Sequence, residues 1–212
     1  MESPTLAAQY AAIVHQRRAD LRQYFANNLP VTPNFVWEIG CGHGHFLTAY
    51  AQAHPERLCL GIDLAKDRIA RAVRKRDRAK LANLHFLQAE ARVFLESLSP
   101  ETTFGDIFVL FPDPWPKARH HKHRLLQTDF LRAISARAGQ GARLFFRTDY
   151  RPYFDEVSQT LEGYPGWEVV KESWPFEFET VFQSRAEHYH SLVARPTGAG
   201  AISPTSPPGI SG

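Results

Sequence analysis

Short apolar runs alternate with amphipathic, charge-bearing stretches along most of this 212-residue chain. Residues 35–39, 58–63, 84–88, 106–111 and 142–148 are nearly continuous apolar segments, the pattern of strands covered on both faces. Between them, residues 44–53, 66–81, 91–98 and 125–138 place apolar side chains at helical spacing, and Gly139 to Gly141 read as the turn into the fifth strand. Such β-α-β alternation predicts an α/β fold: a doubly wound, mostly parallel sheet with helices on both faces. A helix over 153–161 and strands over 167–172 and 189–194 bring the sheet to seven strands. A helix over 5–26 carries Arg17, Arg18 and Arg22 and opens an N-terminal helical segment, residues 1–30, of a single domain spanning 1–195. Residues 196–212 are rich in Pro, Gly, Ser and Thr, bury too little to offset the entropy of ordering, and are expected to form a flexible tail. No internal repeat is visible.

Charge modifies this picture. Lys and Arg outnumber Asp and Glu by 21 to 14 over residues 1–150 and are outnumbered 4 to 8 thereafter. The modest formal total of +3 therefore hides a basic body, which suits a polyanionic partner as well as a solvated surface. Eight of those cations fall within 66–80, where Ile69, Ala72 and Val73 form the apolar stripe; the charges then ring the exposed side, either solvated or touching RNA. Two cysteines without a CxxC pair and the lack of any run near ~20 apolar residues point to a reduced, cytoplasmic setting without a membrane span. Cys41 and Cys59 sit in a loop and a strand and read as packing residues; His120, His121 and His123 could bind a metal, but no matching Cys or second His pair supports this, so no metal is expected.

The first strand runs into Glu38-Ile39-Gly40-Cys41-Gly42-His43-Gly44. The glycines permit a tight turn and close ligand approach, and the next helix offers its N-terminal N–H groups. By itself this is a general nucleotide-binding signal. Glu38 sharpens it: a carboxylate aimed at the turn opposes a pyrophosphate but suits a cationic amino acid headgroup such as that of S-adenosylmethionine. Asp63, ending the second strand, stands where an acid accepts both hydroxyls of a ribose. Glu90, just past the third strand, can reach an adenine edge or simply favour a helix N-terminus.

The most informative stretch follows the fourth strand: Phe111-Pro112-Asp113-Pro114-Trp115-Pro116-Lys117-Ala118-Arg119-His120-His121-Lys122-His123-Arg124. Three prolines stiffen the segment that carries Asp113 and Trp115. The basic run suits a phosphate backbone, and Trp115 could stack on a base. Together with the glycine turn and the Phe146-Arg147-Thr148-Asp149 segment that closes the fifth strand, this stretch resembles the bacterial tRNA (guanine-N7)-methyltransferase family over roughly residues 35–183.

The resemblance implies a Rossmann-like class I methyltransferase fold, S-adenosylmethionine as cofactor and tRNA as partner, with the chain acting as monomer or homodimer. It implies that Glu38, Gly40, Gly42, Gly44, Asp63, Glu90 and Asp113 contact the cofactor and that Asp113 is the catalytic carboxylate. Lys117 and Asp149 would meet the substrate nucleotide, and Arg119, His120, His121, Lys122, His123 and Arg124 the RNA. The family's TxYE element falls on Thr180, Val181, Phe182 and Gln183, where its tyrosine and glutamate are replaced; Gln183 offers one carbonyl acceptor and no charge for reading a guanine. That departure leaves as an alternative to guanine-N7 methylation of tRNA a class I methyltransferase acting on another RNA or a small molecule; a second alternative is a non-catalytic RNA-binding relative, against which the intact Glu38, Asp63 and Asp113 argue.

Overall fold

A computed structural model describes residues 5–30, 34–178 and 186–198. Among the described residues seven strands form one sheet: β1 (Asn34–Ile39), β2 (Leu58–Asp63), β3 (Leu84–Gln88), β4 (Thr103–Leu110), β5 (Ala138–Thr148), β6 (Trp167–Val170) and β7 (His190–Pro196). Their order is β3-β2-β1-β4-β5-β7-β6. The first five strands are parallel, and β7 runs antiparallel to both β5 and β6. The helices are α1 (Leu6–Asn28), α2 (His45–Ala53), α3 (Lys66–Ala79), α4 (Ala91–Ser97), α5 (Thr128–Ser135) and α6 (Arg151–Gly163), with a 3-10 segment over Ala118–His123.

Each face of the sheet has its own apolar layer. Phe46, Leu47 and Tyr50 of α2 and Ile69 and Ala72 of α3 cover Val36, Phe108 and Phe145 on one side. On the other, α4, α5 and α6 cover Trp37, Phe104, Ile107 and Phe146, and α1 adds Leu21. Trp37 is stacked between Phe94 and Phe104 at 4.9 and 5.1 Å. β1 pairs with β2 on one side and β4 on the other, so the chain leaves these neighbouring strand tips toward opposite faces. That switch point opens a crevice where open α/β sheets bind ligands.

The structure corrects several expected boundaries. Gly139 to Gly141 are not a turn but lie inside β5, where the register against β4 slips between Phe104 and Asp106. Glycine tolerates such a bulge, and at Gly139 a Cβ would stand 3.0 Å from the Phe104 carbonyl oxygen. β4 accordingly starts three residues earlier than its apolar run, and α5 is confined to Thr128–Ser135. β6 stops at Val170 because the chain then turns to lay Trp174 and Phe176 over the layer containing Phe145 and Phe46. The expected tail over 196–212 lies outside the described residues beyond Gly198.

Candidate functional site

The glycine turn takes its shape from three left-handed residues: Gly40, Gly42 and Gly44 have φ of 78°, 54° and 67°. Gly40 and Cys41 donate their N–H groups to the Ile62 carbonyl at 2.9 Å, which ties the turn to the tip of β2. A Cβ on Gly40 or Gly42 would meet nothing within 4 Å, so the turn presents bare backbone to open space. Gly44 differs. It caps α2, and a Cβ there would stand 2.5 Å from the Phe86 ring and 2.8 Å from Ala72 Cβ.

Two acids flank the turn. Asp63 is buried, accepting the Gly42 N–H at 3.0 Å on one oxygen and the Ala65 N–H at 2.8 Å on the other, with Arg68 at 3.7 Å. It therefore clasps the turn while keeping unused lone pairs. Glu38 is only 4% exposed, and its Oε2 has no hydrogen-bond partner. Burial, aided by repulsion from Asp63, pushes its carboxyl up to about 8, against the opposing pull of the Leu47 backbone and Lys75. An orphaned buried acid beside open backbone lacks a donor, and a ligand's ammonium group would supply one.

Glu90 is occupied. Its oxygens accept the Arg92 and Val93 N–H groups at 3.1 and 2.9 Å, capping α4. It also lines a cavity of about 410 Å³ with Leu64, Ala89 and Val93, roofed by Arg17 and Tyr24 of α1. The sequence alone does not place α1 there; Leu64, which directly follows Asp63, is 68% exposed.

Past β4 the backbone is strained. Phe111 and Trp115 adopt φ of 49° and 43°, conformations that cost non-glycine residues of order 1–3 kcal/mol and gather at functional sites. The Phe111 N–H donates to the Arg147 carbonyl at 2.7 Å, setting the Asp113 loop beside the end of β5, where Asp149 follows. Asp113 and Asp149 are exposed, and neither has a hydrogen bond or ion pair among the described residues. Trp115 lies against His123 and His120, with ring centroids 5.2 and 5.7 Å away.

Within the basic run, Lys117, Arg119, Lys122 and His123 are exposed, and His120 and His121 are half-buried. Arg124 is turned inward, contrary to its expected place on the RNA. Its side chain is 1% exposed, donates from Nε to the Pro114 carbonyl at 2.9 Å, pairs with Glu156 and lies 4.9 Å over the Tyr153 ring. It holds the proline loop in place instead of meeting a phosphate. Arg147, within the same segment as Asp149, is buried between Trp174 at 4.0 Å and Tyr189 at 4.7 Å.

Thr180, Val181, Phe182 and Gln183 lie outside the described residues. Cys41 and Cys59 are buried, and burial raises both thiols, Cys59 to about 12, which removes them as nucleophiles. Among the described residues there is no group of three or more His, Cys, Asp or Glu arranged to hold a metal, and no helix is long and apolar enough to cross a membrane.

The strand order, with an acid-and-glycine turn after β1 and an acid ending β2, defines a Rossmann-like class I methyltransferase fold. Solved methyltransferases share it: the aminoglycoside resistance methyltransferase NpmB1 superposes with a TM-score of 0.54 at 19% identity, covering 82% of this chain and 93% of that one. The ribosomal protein L11 methylase from Lactobacillus delbrueckii subsp. bulgaricus gives 0.53 at 14% identity, covering 86% and 79%. A family model described as "Putative methyltransferase" matches residues 32–194. The tRNA (guanine-N(7)-)-methyltransferase of Alkalilimnicola ehrlichii is 34% identical over 70% of this chain and 61% of its own length. That of Syntrophotalea carbinolica is 35% identical over 71% and 63%, and that of Chromohalobacter salexigens 31% over 82% and 72%. The chain belongs to the bacterial tRNA (guanine-N7)-methyltransferase family. It spans about six tenths of the length of the first two of these relatives.

Proposed function

We propose that this protein methylates N7 of a guanine in tRNA, at the variable-loop position the family resemblance implies, with S-adenosylmethionine as donor and in the cytoplasm. The observation that supports the reading is that residues suited to the donor and to the acceptor lie at the same, carboxyl end of the parallel strands. The orphaned Glu38 and bare glycine backbone lie at β1, and the strained Asp113 loop with its exposed cations lies at β4.

When bound, the cofactor supplies an electrophilic methyl group on a sulfonium. Glu38 would take its ammonium group, Gly40 and Gly42 would allow close approach, and Asp63 would accept from the ribose. The cavity beside Glu90 and Leu64 has room for the adenine. Guanine N7 carries an in-plane lone pair and attacks without losing a proton, so no general base is needed. What these residues contribute is alignment, which can be worth roughly 7–11 kcal/mol. Asp113 adds negative potential where positive charge moves onto the purine. Lys117 and Asp149 would orient the nucleotide, while Arg119 and Lys122 hold its phosphates and Trp115 offers a stacking face.

The test is to incubate the protein with methyl-labelled S-adenosylmethionine and unmodified tRNA and cleave at 7-methylguanosine. Label released at one guanine is the expected result. Label elsewhere would sink the N7 assignment, and tRNA binding without label would leave an RNA-binding relative.

A further inference from the structure

Helix α3 carries more charge than the site just described uses. Lys66, Arg68, Arg71, Arg74, Lys75, Arg76 and Arg78 lie on it and Lys80 caps it, against only Asp67 and Asp77. Three of these cations have local work: Arg68 is near Asp63, Arg76 pairs with Asp77, and Lys75 donates to the His43 carbonyl at 3.0 Å. The other five are exposed, and their side chains have no ion pair or hydrogen bond among the described residues.

Arg71, Arg74 and Arg78 fall at i, i+3 and i+7, which aligns them along one face of the helix. The acid on that stripe, Asp67, sits at its first turn and pairs with none of them among the described residues.

A merely solvated helix gains from opposite charges spaced three or four apart, whereas like charges at that spacing destabilise it. Here Arg71 faces Arg74 and Lys75, Arg74 faces Arg78, and Arg76 faces Lys80. The mutual repulsion is felt by neighbours: beyond burial, Arg78 lowers the Lys75 ammonium, Lys75 lowers His45, and Arg76 lowers His85. Helix α3 starts three residues beyond the tip of β2 and runs ~21 Å down the flank, of which the three arginines occupy ~10 Å. It therefore continues the ligand-binding rim onto a face opposite the one that receives the loop after β4.

We infer that Arg71, Arg74 and Arg78 form a second docking surface for the sugar-phosphate backbone of the RNA substrate, away from the reacting guanine. This inference rests on the proposed tRNA substrate. A polyanion lying along the stripe would relieve the repulsion that the isolated helix retains, and it would be read through phosphates without regard to sequence.

The test is the salt dependence of tRNA binding for the wild-type chain and for an Arg71→Gln, Arg74→Gln, Arg78→Gln triple variant. Glutamine keeps helix propensity, so circular dichroism should be unchanged. Losing three phosphate contacts should shallow the log–log salt slope by about 2 to 3 and weaken binding roughly 100-fold at 0.1 M salt, with S-adenosylmethionine affinity unchanged. An unchanged slope overturns the inference and leaves the helix a solvated face. A fall in cofactor affinity alone overturns it too, assigning the stripe to the glycine turn. Absence of salt-dependent tRNA binding by the wild-type chain overturns both the inference and the substrate on which it rests.

Discussion

Gly44→Ala should destabilise the fold far more than the same substitution at Gly40. Both residues have left-handed φ, 67° and 78°, which costs an L-residue roughly 1–2 kcal/mol. They differ in what the new methyl meets. At Gly40 it meets nothing within 4 Å, whereas at Gly44 it would lie 2.5 Å from Phe86 Cζ and 2.8 Å from Ala72 Cβ. Carbon atoms prefer ~3.5–4.0 Å, and Phe86 and Ala72, at 3% and 0% exposed, cannot swing into solvent. Overpacking of that kind adds about 1–3 kcal/mol, for a total near 2–5 kcal/mol. At ~2–4 °C per kcal/mol for a chain of this size, Tm should fall by roughly 4–20 °C, against about 2–8 °C for Gly40→Ala. Thermal melts of the three ligand-free proteins measure this directly. Cofactor titration should reverse the ranking among folded molecules, because the Gly40 methyl projects into the open space assigned to the cofactor in the proposed function. A Gly44→Ala protein that melts no lower than Gly40→Ala would refute the packing argument.

Three further outcomes follow from the same geometry. Glu38 titrates near 8 when folded, above its ordinary 4.5, so the native state holds an extra proton between those values and ligand-free stability should fall as pH rises through that window. Binding a cationic headgroup should expel that proton, so calorimetric heats at pH 7 should vary with buffer ionisation enthalpy; buffer-independent heats would remove Glu38 from the headgroup site. Asp113→Asn should abolish methyl transfer while moving stability by no more than about 0.5 kcal/mol, since the side chain is exposed; near-normal turnover would take Asp113 out of the chemistry. Arg124→Met leaves Glu156 only His121 at 3.8 Å, and its 34% exposure lets it rehydrate in part, so the cost should be about 2–4 kcal/mol in urea denaturation. The same variant should leave the tRNA salt slope unchanged, and a shallower slope would put Arg124 back on the RNA.

The strands and helices were legible because buried parallel strands leave continuous apolar runs and helices leave a 3.6-residue period. The glycines were legible as a turn, but their division of labour was not: only tertiary packing of Phe86 and Ala72 distinguishes Gly44 from Gly40. Arg124 was misread because composition counts a cation without its direction, and its partners Glu156 and Tyr153 lie about 30 residues downstream. Glu90 could be read two ways, and its capping bonds are in place here. The bulge in β5 was hidden because glycines between a helix and a strand look like a turn until the partner strand fixes their register.

The position of β7 has a consequence for how the molecule is assembled. It is the last strand among the described residues, yet it lies between β5 and β6, pairing Phe146 with Leu192 on one side and Val169 with Ala194 on the other. On a ribosome, five parallel strands and their helices would emerge with one edge of β5 unsatisfied, and β6 would have no partner until residues near 190–196 arrive. A nascent or truncated chain lacking those residues would display two open edges, the surfaces through which partly made sheets stick to one another. The strand that joins β6 to the sheet thus also covers the edge that β5 would otherwise leave open.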